Sequence, residues 1–387
     1  MLSQILAITM LNLRSLGSRL GASMVIIIGI AGVVGVLIAL LAMARGFEAT
    51  LGQTGRDDRA LVLRGGATAE LNSGLSADQR QVIADTRGLD GPLRSAGELM
   101  VISEFPSKAR GGSVNVSLRG VEPTGFDIRP EFRMVEGRRF EPGLQEVIVG
   151  ADALALFEGV SIGSNVRFRG SDWTIVGVFE TGDAHDSELW VDLATAQAAF
   201  GRTGVSSVLV QLESADRFDA FAETLKDDPR LNVDVERERE HFSSQSEQFA
   251  TLIGVLATVV GIIMGLGALF AALNTMYSAV STRTTEIATL RALGFGSLPV
   301  TVSVIVESMA LALLGGVAGA AISWLLFNGY SVSTLGAGFT QVAFQFQVSP
   351  PLMLQGLLIA LTLGFLGGLL PAIRAARVPV TVALRGA

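Results

Sequence analysis

The chain has 387 residues, a net charge of −7 and no cysteine, and only 17% of its residues are charged, against about 25% in an average soluble protein. We therefore expect no basic face for nucleic acid and no disulfide, thiolate zinc site or cysteine nucleophile. Charge is absent from 20–44, 249–282 and 308–373 but normal in 45–248. This excludes a soluble enzyme, a disordered chain and an outer-membrane barrel, and it predicts a helical membrane protein.

The uncharged stretches are long enough to cross a bilayer, which needs about 20 apolar residues per helix. The last stretch is too long for one helix, and the turn residues of 328–330 and 349–351 divide it in two. We therefore predict four transmembrane helices, at 21–44, 250–278, 299–327 and 351–373.

An amphipathic helix is predicted at 1–20, before the first span, and we expect it to rest on the membrane surface. A cleaved signal peptide is the alternative, because Ala42-Met43-Ala44 has the form of a cleavage site. The apolar run is longer than the roughly 7–15 residues of a signal peptide, which favours an anchor.

Between the first two spans, residues 45–249 alternate with period 2 in several runs and show helical stretches between them, which predicts a large α+β domain. Its last part has the pattern strand, helix, strand at 208–211, 217–226 and 231–235. A polar helix at 236–248 then runs into the second span.

The distribution of arginine predicts the orientation, because short cytoplasmic segments are enriched in Lys and Arg. With the N-terminus inside, the segment 1–20, the loop 279–298 and the tail 374–387 are cytoplasmic. They carry Arg14, Arg19, Arg283, Arg291, Arg374, Arg377 and Arg385, with Glu286 as their one acid. The domain 45–249 and the uncharged loop 328–350 are then extracytoplasmic.

Enzymatic motifs are not supported by their context. A phosphate-binding P-loop needs Gly-Lys-Ser/Thr, and the two lysines, Lys108 and Lys226, follow Ser107 and Leu225. The stretch Gly159–Gly163 has the letters of a nucleophile elbow around Ser161, but a helical pattern precedes it and a strand pattern follows, the reverse of the elbow's order. We predict a turn there, and no catalytic residue.

Two groups of ionisable residues have open interpretations. Asp183, His185, Asp186 and Glu188 either bind a cation or form a solvated acidic loop, and the lack of a standard ligand spacing favours the loop. Glu307 lies inside the third span, where ionisable groups are often functional. Because one carboxylate alone does not make a proton relay, we favour snorkelling or pairing with a nearby Arg.

The loop after the second span contains a short amphipathic helix over Arg283–Gly294. It brings Ile287, Leu290 and Leu293 together, with charged residues around them. An ordinary positive-inside turn is one explanation. An exposed amphipathic helix is also the form of an element that docks in a partner's groove.

At these residues the chain resembles a known family. The Arg283–Gly294 run is similar to the R-x-x-E-I-x-x-L-R-A-L-G motif of FtsX-like permeases of the macrolide-exporter (MacB) type. The segment 370–379 is similar to the family's closing signature L-P-A-x-R-A-A-x-x-x-P, with two residues in place of three before Pro379. Weaker matches lie at Asn12-Leu13-Arg14, at 136–138 and 146–150, and at Gly315-Gly316.

The resemblance implies the permease subunit of an ABC transporter that works by mechanotransmission, with its ATPase on a separate chain, as in the DevC and LolC/LolE branches. It implies a bacterial inner-membrane protein with both termini cytoplasmic, contacts with membrane lipid, and a second permease chain, identical or related, with or without a periplasmic adaptor. The substrate class is lipophilic, peptide or lipoprotein, and no cofactor or metal is implied. FtsX-like regulation of cell-wall hydrolases is the alternative.

The resemblance also assigns roles to residues. The outer domain divides into two lobes, one built from 45–110 and 205–237 and the other inserted between them. Pro371, Arg374 and Pro379 belong to the C-terminal motif. The residues that couple to the ATPase are Arg283, Glu286, Ile287, Leu290, Arg291, Ala292, Leu293 and Gly294.

Overall fold

The computed structural model describes residues 2–15, 20–87, 91–107, 112–157, 159–335 and 341–377. Two compact units are present. The membrane unit comprises 1–45, 251–330 and 346–387, and the outer unit comprises 46–250 together with 331–345.

The described part of the chain forms the following elements. The helices are α1 (Leu2–Ser15), α2 (Leu20–Gln53), α3 (Ala77–Ala84), α4 (Pro123–Ile128), α5 (Ala151–Leu156), α6 (Leu193–Phe200), α7 (Phe218–Lys226), α8 (Glu238–Thr282), α9 (Thr284–Ala292), α10 (Ser297–Phe327) and α11 (Pro350–Ala376). The strands are β1 (Arg59–Arg64), β2 (Arg94–Ser107), β3 (Gly112–Val121), β4 (Arg133–Gly137), β5 (Glu146–Gly150), β6 (Asn165–Phe168), β7 (Ser171–Glu180), β8 (Leu189–Asp192), β9 (Ser207–Gln211), β10 (Val233–Arg237), β11 (Ser331–Leu335) and β12 (Gln341–Gln345).

Four of the described helices, α2, α8, α10 and α11, are long and apolar enough to cross a membrane, and the predicted fold class is confirmed. The first two extend beyond the predicted spans: α2 continues to Gln53, and α8 begins at Glu238 and includes the predicted polar segment. Helix α11 begins at Pro350, whose missing N–H is not needed in the first helical turn.

Glycines let the membrane helices approach each other closely. A Cβ added to Gly319 of α10 would lie 2.5 Å from the carbonyl oxygen of Ala31 in α2, and one added to Gly364 of α11 would lie 2.4 Å from Cβ of Ala312. These two glycines are therefore used for close packing between helices of the same chain.

In the outer unit, the described strands β1–β10 form one sheet in the order β10-β1-β9-β2-β3-β8-β5-β7-β4, with β6 paired to β7. The strands from the two ends of the segment lie on one side of this order, and the inserted strands lie on the other. The two halves meet where β2 and β3 pair antiparallel. The predicted strand–helix–strand unit is a split one, because β1 lies between β9 and β10 and is antiparallel to both.

Several strands have no counterpart in the sequence pattern. In β2 the alternation is interrupted by Gly97 and by Glu98, which is fully buried. Strand β8 has only four residues, and all of them are buried. The segment 328–350, predicted as a loop, contains the antiparallel hairpin β11–β12.

A cluster of buried charges lies inside the outer unit, and we call it the outer ion cluster. Its central residue is Arg119, whose guanidinium binds Glu70 at 2.8 Å, Glu98 at 2.6 Å and Glu188 at 2.8 Å. Its members are Arg59, Glu70, Glu98, Arg119, Arg129, Glu188 and Glu238.

The outer ion cluster reaches the first residue of α8. Glu238 forms an ion pair with Arg59 at 2.6 Å and accepts a hydrogen bond from the backbone N–H of Arg56 at 3.1 Å, and Arg129 bridges Glu98 and Glu238. Because a buried charge is stable only while it is paired, the cluster fixes the start of α8 to β1 and β2.

We expect Arg119→Met to lower the free energy of unfolding of the outer unit by about 3–5 kcal/mol, because three buried carboxylates lose their common partner. Trp173 and Trp190 lie in this unit, so a urea titration followed by tryptophan fluorescence measures the change. The control is Arg167→Met, because Arg167 pairs with Asp172 at an exposed site, and less than about 1 kcal/mol is expected there. Equal effects of the two substitutions would contradict the central role of Arg119.

Low pH should reduce the contribution of the outer ion cluster to the free energy of unfolding. Burial alone would raise the pKa of Glu70, but the guanidinium of Arg119 lowers it from 4.5 to about 2. Since the folded pKa lies below the unfolded one, the stabilisation is complete above pH 4.5 and is lost as the pH falls towards 2. Unfolding titrations across this range should show a smaller pH dependence in Glu70→Gln, and an unchanged dependence would disprove the assignment.

Candidate functional site

Four polar side chains from α1, α10 and the junction of α8 with α9 meet inside the membrane unit, and we call them the membrane ion cluster. Arg283 donates to Oδ1 of Asn12 at 2.6 Å and to Oε2 of Glu307 at 3.1 Å. Asn12 in turn donates to Oγ of Ser303 at 3.1 Å. All four residues are buried.

The chain positions Arg283 at a break between two helices. Helix α8 ends at Thr282 and α9 begins at Thr284, so Arg283 is the residue at the corner. The side chain of Arg283 is 7% exposed and that of Glu307 is 6% exposed. Nε of Arg283 also lies 3.3 Å from Oε2 of Glu286. Glu307 therefore pairs with an arginine, one of the two structural explanations favoured from the sequence.

A cavity of about 310 Å³ lies beside this ion pair. Its walls are mostly apolar and come from α1, α8, α9 and α10, including Ile8, Met276, Ile287, Leu290 and Val300. Arg283 and Glu307 themselves form part of its wall.

Helix α9 divides the predicted coupling residues between its buried and exposed sides. Ile287 is buried and Leu290 is half-buried against the cavity, whereas Leu293 is 73% exposed. The prediction that these three lie on one common face is wrong for Leu293, since the helix ends at Ala292. Gly294, two residues after the end of the helix, has a φ of +94°, a backbone conformation that favours glycine.

The remaining residues of this segment lie mainly at the surface. Glu286, Ala292 and Gly294 are exposed, and Arg291 is half-buried. Leu298, in the first turn of α10, is 51% exposed. Together with Leu293 it gives the segment two large apolar side chains that the membrane unit leaves uncovered.

The C-terminal motif is divided by the limit of the described residues. Pro371 is buried inside α11, and the guanidinium of Arg374 lies 5.5 Å from the centre of the Tyr277 ring on α8, a distance typical of cation–π contacts. Pro379 lies outside the described residues.

The acidic group in the outer unit is buried, so the expectation of a solvated loop is wrong. His185 Nδ1 lies 2.9 Å from Asp183, Asp186 accepts from backbone N–H groups of Thr181 and Gly182, and Glu188 binds Arg119. The carboxylate oxygens of this group thus bind other groups of the protein. Within the described ranges, no group of three His, Cys, Asp or Glu side chains is placed to hold a metal ion.

Ser161 lies in a turn between α5 and β6, as predicted. The turn is closed by Ser164, whose hydroxyl donates to the carbonyl oxygens of Gly159 and Ser161. The two glycines of the pattern, Gly159 and Gly163, both have positive φ.

Sequence reasoning missed two members of the membrane ion cluster. Ser303 was not singled out, and Asn12 was noted only as part of a family pattern. A polar residue within an apolar helical run is a weak signal, and nothing in the sequence joins positions that are hundreds of residues apart.

Comparison with known proteins gives two family matches, a MacB-like periplasmic core domain over residues 23–228 and an FtsX-like permease C-terminal domain over 258–380. Among solved structures, the chain is similar to the extracellular domain of the noncanonic ABC-type transporter YknZ from Gram-positive bacteria (18% identity, TM-score 0.36, covering 46% of this chain and 99% of that one). It is also similar to the periplasmic region of MacB from Actinobacillus actinomycetemcomitans (15% identity, TM-score 0.37, 52% and 94%). No curated protein matches significantly.

We expect Arg283→Met and Glu307→Met each to lower the free energy of unfolding by about 3 kcal/mol, because each leaves a buried charge without its partner. The double variant should lose clearly less than the sum of the two. An SDS unfolding titration in mixed micelles measures all three. Arg377→Met, at an exposed arginine of the same unit, is the control, and additive losses would argue against the pair.

Proposed function

Since this chain belongs to the family of FtsX-like permeases with a MacB-like periplasmic core domain, we propose that it is the membrane subunit of an ABC transporter that works by mechanotransmission. In this proposal a separate ATPase moves α9, and the movement passes through the membrane helices to the outer unit. The outer unit then exports or releases a lipophilic, peptide or lipoprotein substrate. The family is one of multi-pass proteins of the bacterial inner membrane.

The observation that carries the proposal is the anchoring of α9. Arg283, the residue just before α9, is paired to Glu307 in α10 and bonded to Asn12 in α1. Leu293, the residue just after α9, is exposed, and so is Leu298 in the first turn of α10. A partner that binds these exposed leucines and moves α9 would displace α10 and α1 together with α9, because separating the buried ion pair is costly.

We propose that α1, α9 and the C-terminal tail face the cytoplasm, where an ATPase can reach them. The support is the excess of arginine in these short segments, which is typical of cytoplasmic loops. The outer unit then lies on the far side, where it can act on substrates that never cross the bilayer.

We further propose that the permease works in pairs. One face of α8 is left uncovered by the part of the chain that the structure describes, with each large apolar side chain between 46% and 67% exposed: Leu252, Val255, Leu256, Val259, Ile262, Ile263, Leu266 and Phe270. In a membrane such a face contacts lipid or a second permease chain.

The test of this function is a mild-detergent pull-down of the tagged chain from its native membrane, with identification of every co-purifying protein. A stoichiometric ABC ATPase is expected, and an adaptor beside it would indicate efflux. A cell-wall hydrolase in place of a transport partner would instead support the regulatory alternative. A preparation that lacks any ATPase, even after cross-linking, would overturn the proposal.

Leu293→Asp should abolish retention of the ATPase in this pull-down, because it places a charge in the apolar contact of the docking helix. Folding should be unaffected, since the side chain is 73% exposed. Leu144→Asp, at an exposed leucine of the outer unit, is the matched control and should retain the ATPase. Equal retention in both variants would contradict docking through Leu293.

A further inference from the structure

The hairpin β11–β12 joins two membrane helices, yet it packs as part of the outer unit. Only three residues separate the end of α10 at Phe327 from its start at Ser331, and four separate its end at Gln345 from the start of α11 at Pro350. Connectors of this length span at most about 10–15 Å when extended, so the hairpin has little freedom to move apart from these helices.

Specific contacts hold the hairpin in the outer unit. The backbone N–H of Ala343 donates to Oγ of Ser187 at 2.9 Å, and Ser187 is 1% exposed. The ring of Phe344 packs edge-on against Phe47, with centroids 5.5 Å apart, and Phe47 in turn contacts Phe249 at 4.2 Å. Phe47 belongs to α2 and Phe249 to α8.

The short 3-10 turn Ala184–Ser187 is where these segments converge. Its first residue donates its backbone N–H to Oγ1 of Thr54, just after α2, at 3.1 Å. The ring of His185 packs edge-on against Phe242 of α8 at 5.4 Å. Its last residue, Ser187, holds the hairpin. Segments continuous with all four membrane helices therefore meet within one turn.

The contact between α2 and the hairpin depends on a glycine. A Cβ on Gly46 would lie 2.0 Å from the carbonyl oxygen of Gln345 and 2.9 Å from its carbonyl carbon, both backbone atoms. Any side chain at position 46 would thus push the hairpin away. Gly52, on the same helix, has no atom within 4 Å of such a Cβ.

We propose that the hairpin is a clasp, formed by Gly46, Phe47, Ser187, Ala343 and Phe344, through which the third and fourth membrane helices act on the outer unit. The hairpin is then a third covalent connection from the membrane helices into the outer unit, beside α2 and α8. Gly46 and Ser187 are then positioning residues, and the role of the clasp rests on the proposed function.

The experiment compares Gly46→Ala with the matched control Gly52→Ala in the complex purified with its ATPase. Hydrogen exchange of the amides in 341–345 reports on the contact itself. A fluorophore on Ser161→Cys, in an exposed turn of the outer unit of a cysteine-free chain, reports on ATP-driven movement. The ATPase rate is measured alongside.

Gly46→Ala is expected to speed exchange of the hairpin amides roughly tenfold and to abolish the ATP-dependent fluorescence change, while ATP hydrolysis continues. Gly52→Ala should match the parent chain in hydrogen exchange, in the ATP-dependent fluorescence change and in the ATPase rate. Ser187→Ala is the second variant, in case Gly46→Ala does not fold, and should show the same pattern more weakly because it removes only the hydrogen bond to Ala343.

Three results would overturn the proposal at different levels. Unchanged exchange in both Gly46→Ala and Ser187→Ala would disprove the contact. Faster exchange with an intact fluorescence change would show that the contact is only structural. Absence of any ATP-dependent change in the parent chain would refute the proposed function, and the role of the clasp with it, while the exchange data still decide whether the contact exists.

Discussion

A buried arginine must keep its carboxylate, and this constraint determines how the membrane unit is built. In an apolar environment, separating Arg283 from Glu307 would expose two unpaired charges to low dielectric, which is far more costly than shifting both helices together. The corner between α8 and α9 and the third membrane helix are therefore joined as firmly as if they were packed core elements. Asn12 and Ser303 extend the bond to α1.

The outer unit applies the same rule with more charges. Arg119 is shared by three carboxylates, and Arg59 and Arg129 continue the pairing to Glu238 at the start of α8. Gly55, with a φ of +79°, lets the chain after α2 pass directly against Glu238, where a Cβ would be 2.7 Å from its side chain. The chain just after α2 and the start of α8 are thus held together within the outer unit.

The sequence was most informative where one physical signal dominated. Apolar length located the four spans, and alternation located strands such as the one predicted at 208–211, which is β9 at Ser207–Gln211. Prediction failed where charged residues are buried. Because of Glu98, the pattern of β2 did not indicate a strand, and because of residues such as Glu188, the acidic group was wrongly expected to be solvated. The hairpin β11–β12 was missed because its segment was treated only as a connection between two spans. Two members of the membrane ion cluster, Arg283 and Glu307, were identified from the sequence. That they pair with each other could not be predicted, because they are 24 positions apart and meet only through the packing of the helices.

The position of β1 has a consequence for how the protein is made. It is the first strand of the outer unit to be made, and both of its partners, β9 and β10, come from the far end of the outer segment. During synthesis the strand Arg59–Arg64 therefore has both edges open until residue 211 has been made, and one edge open until residue 237 has been made. Such late, non-local pairing is slow and exposes an aggregation-prone edge. The outer unit thus completes its sheet only when its last strand has been made.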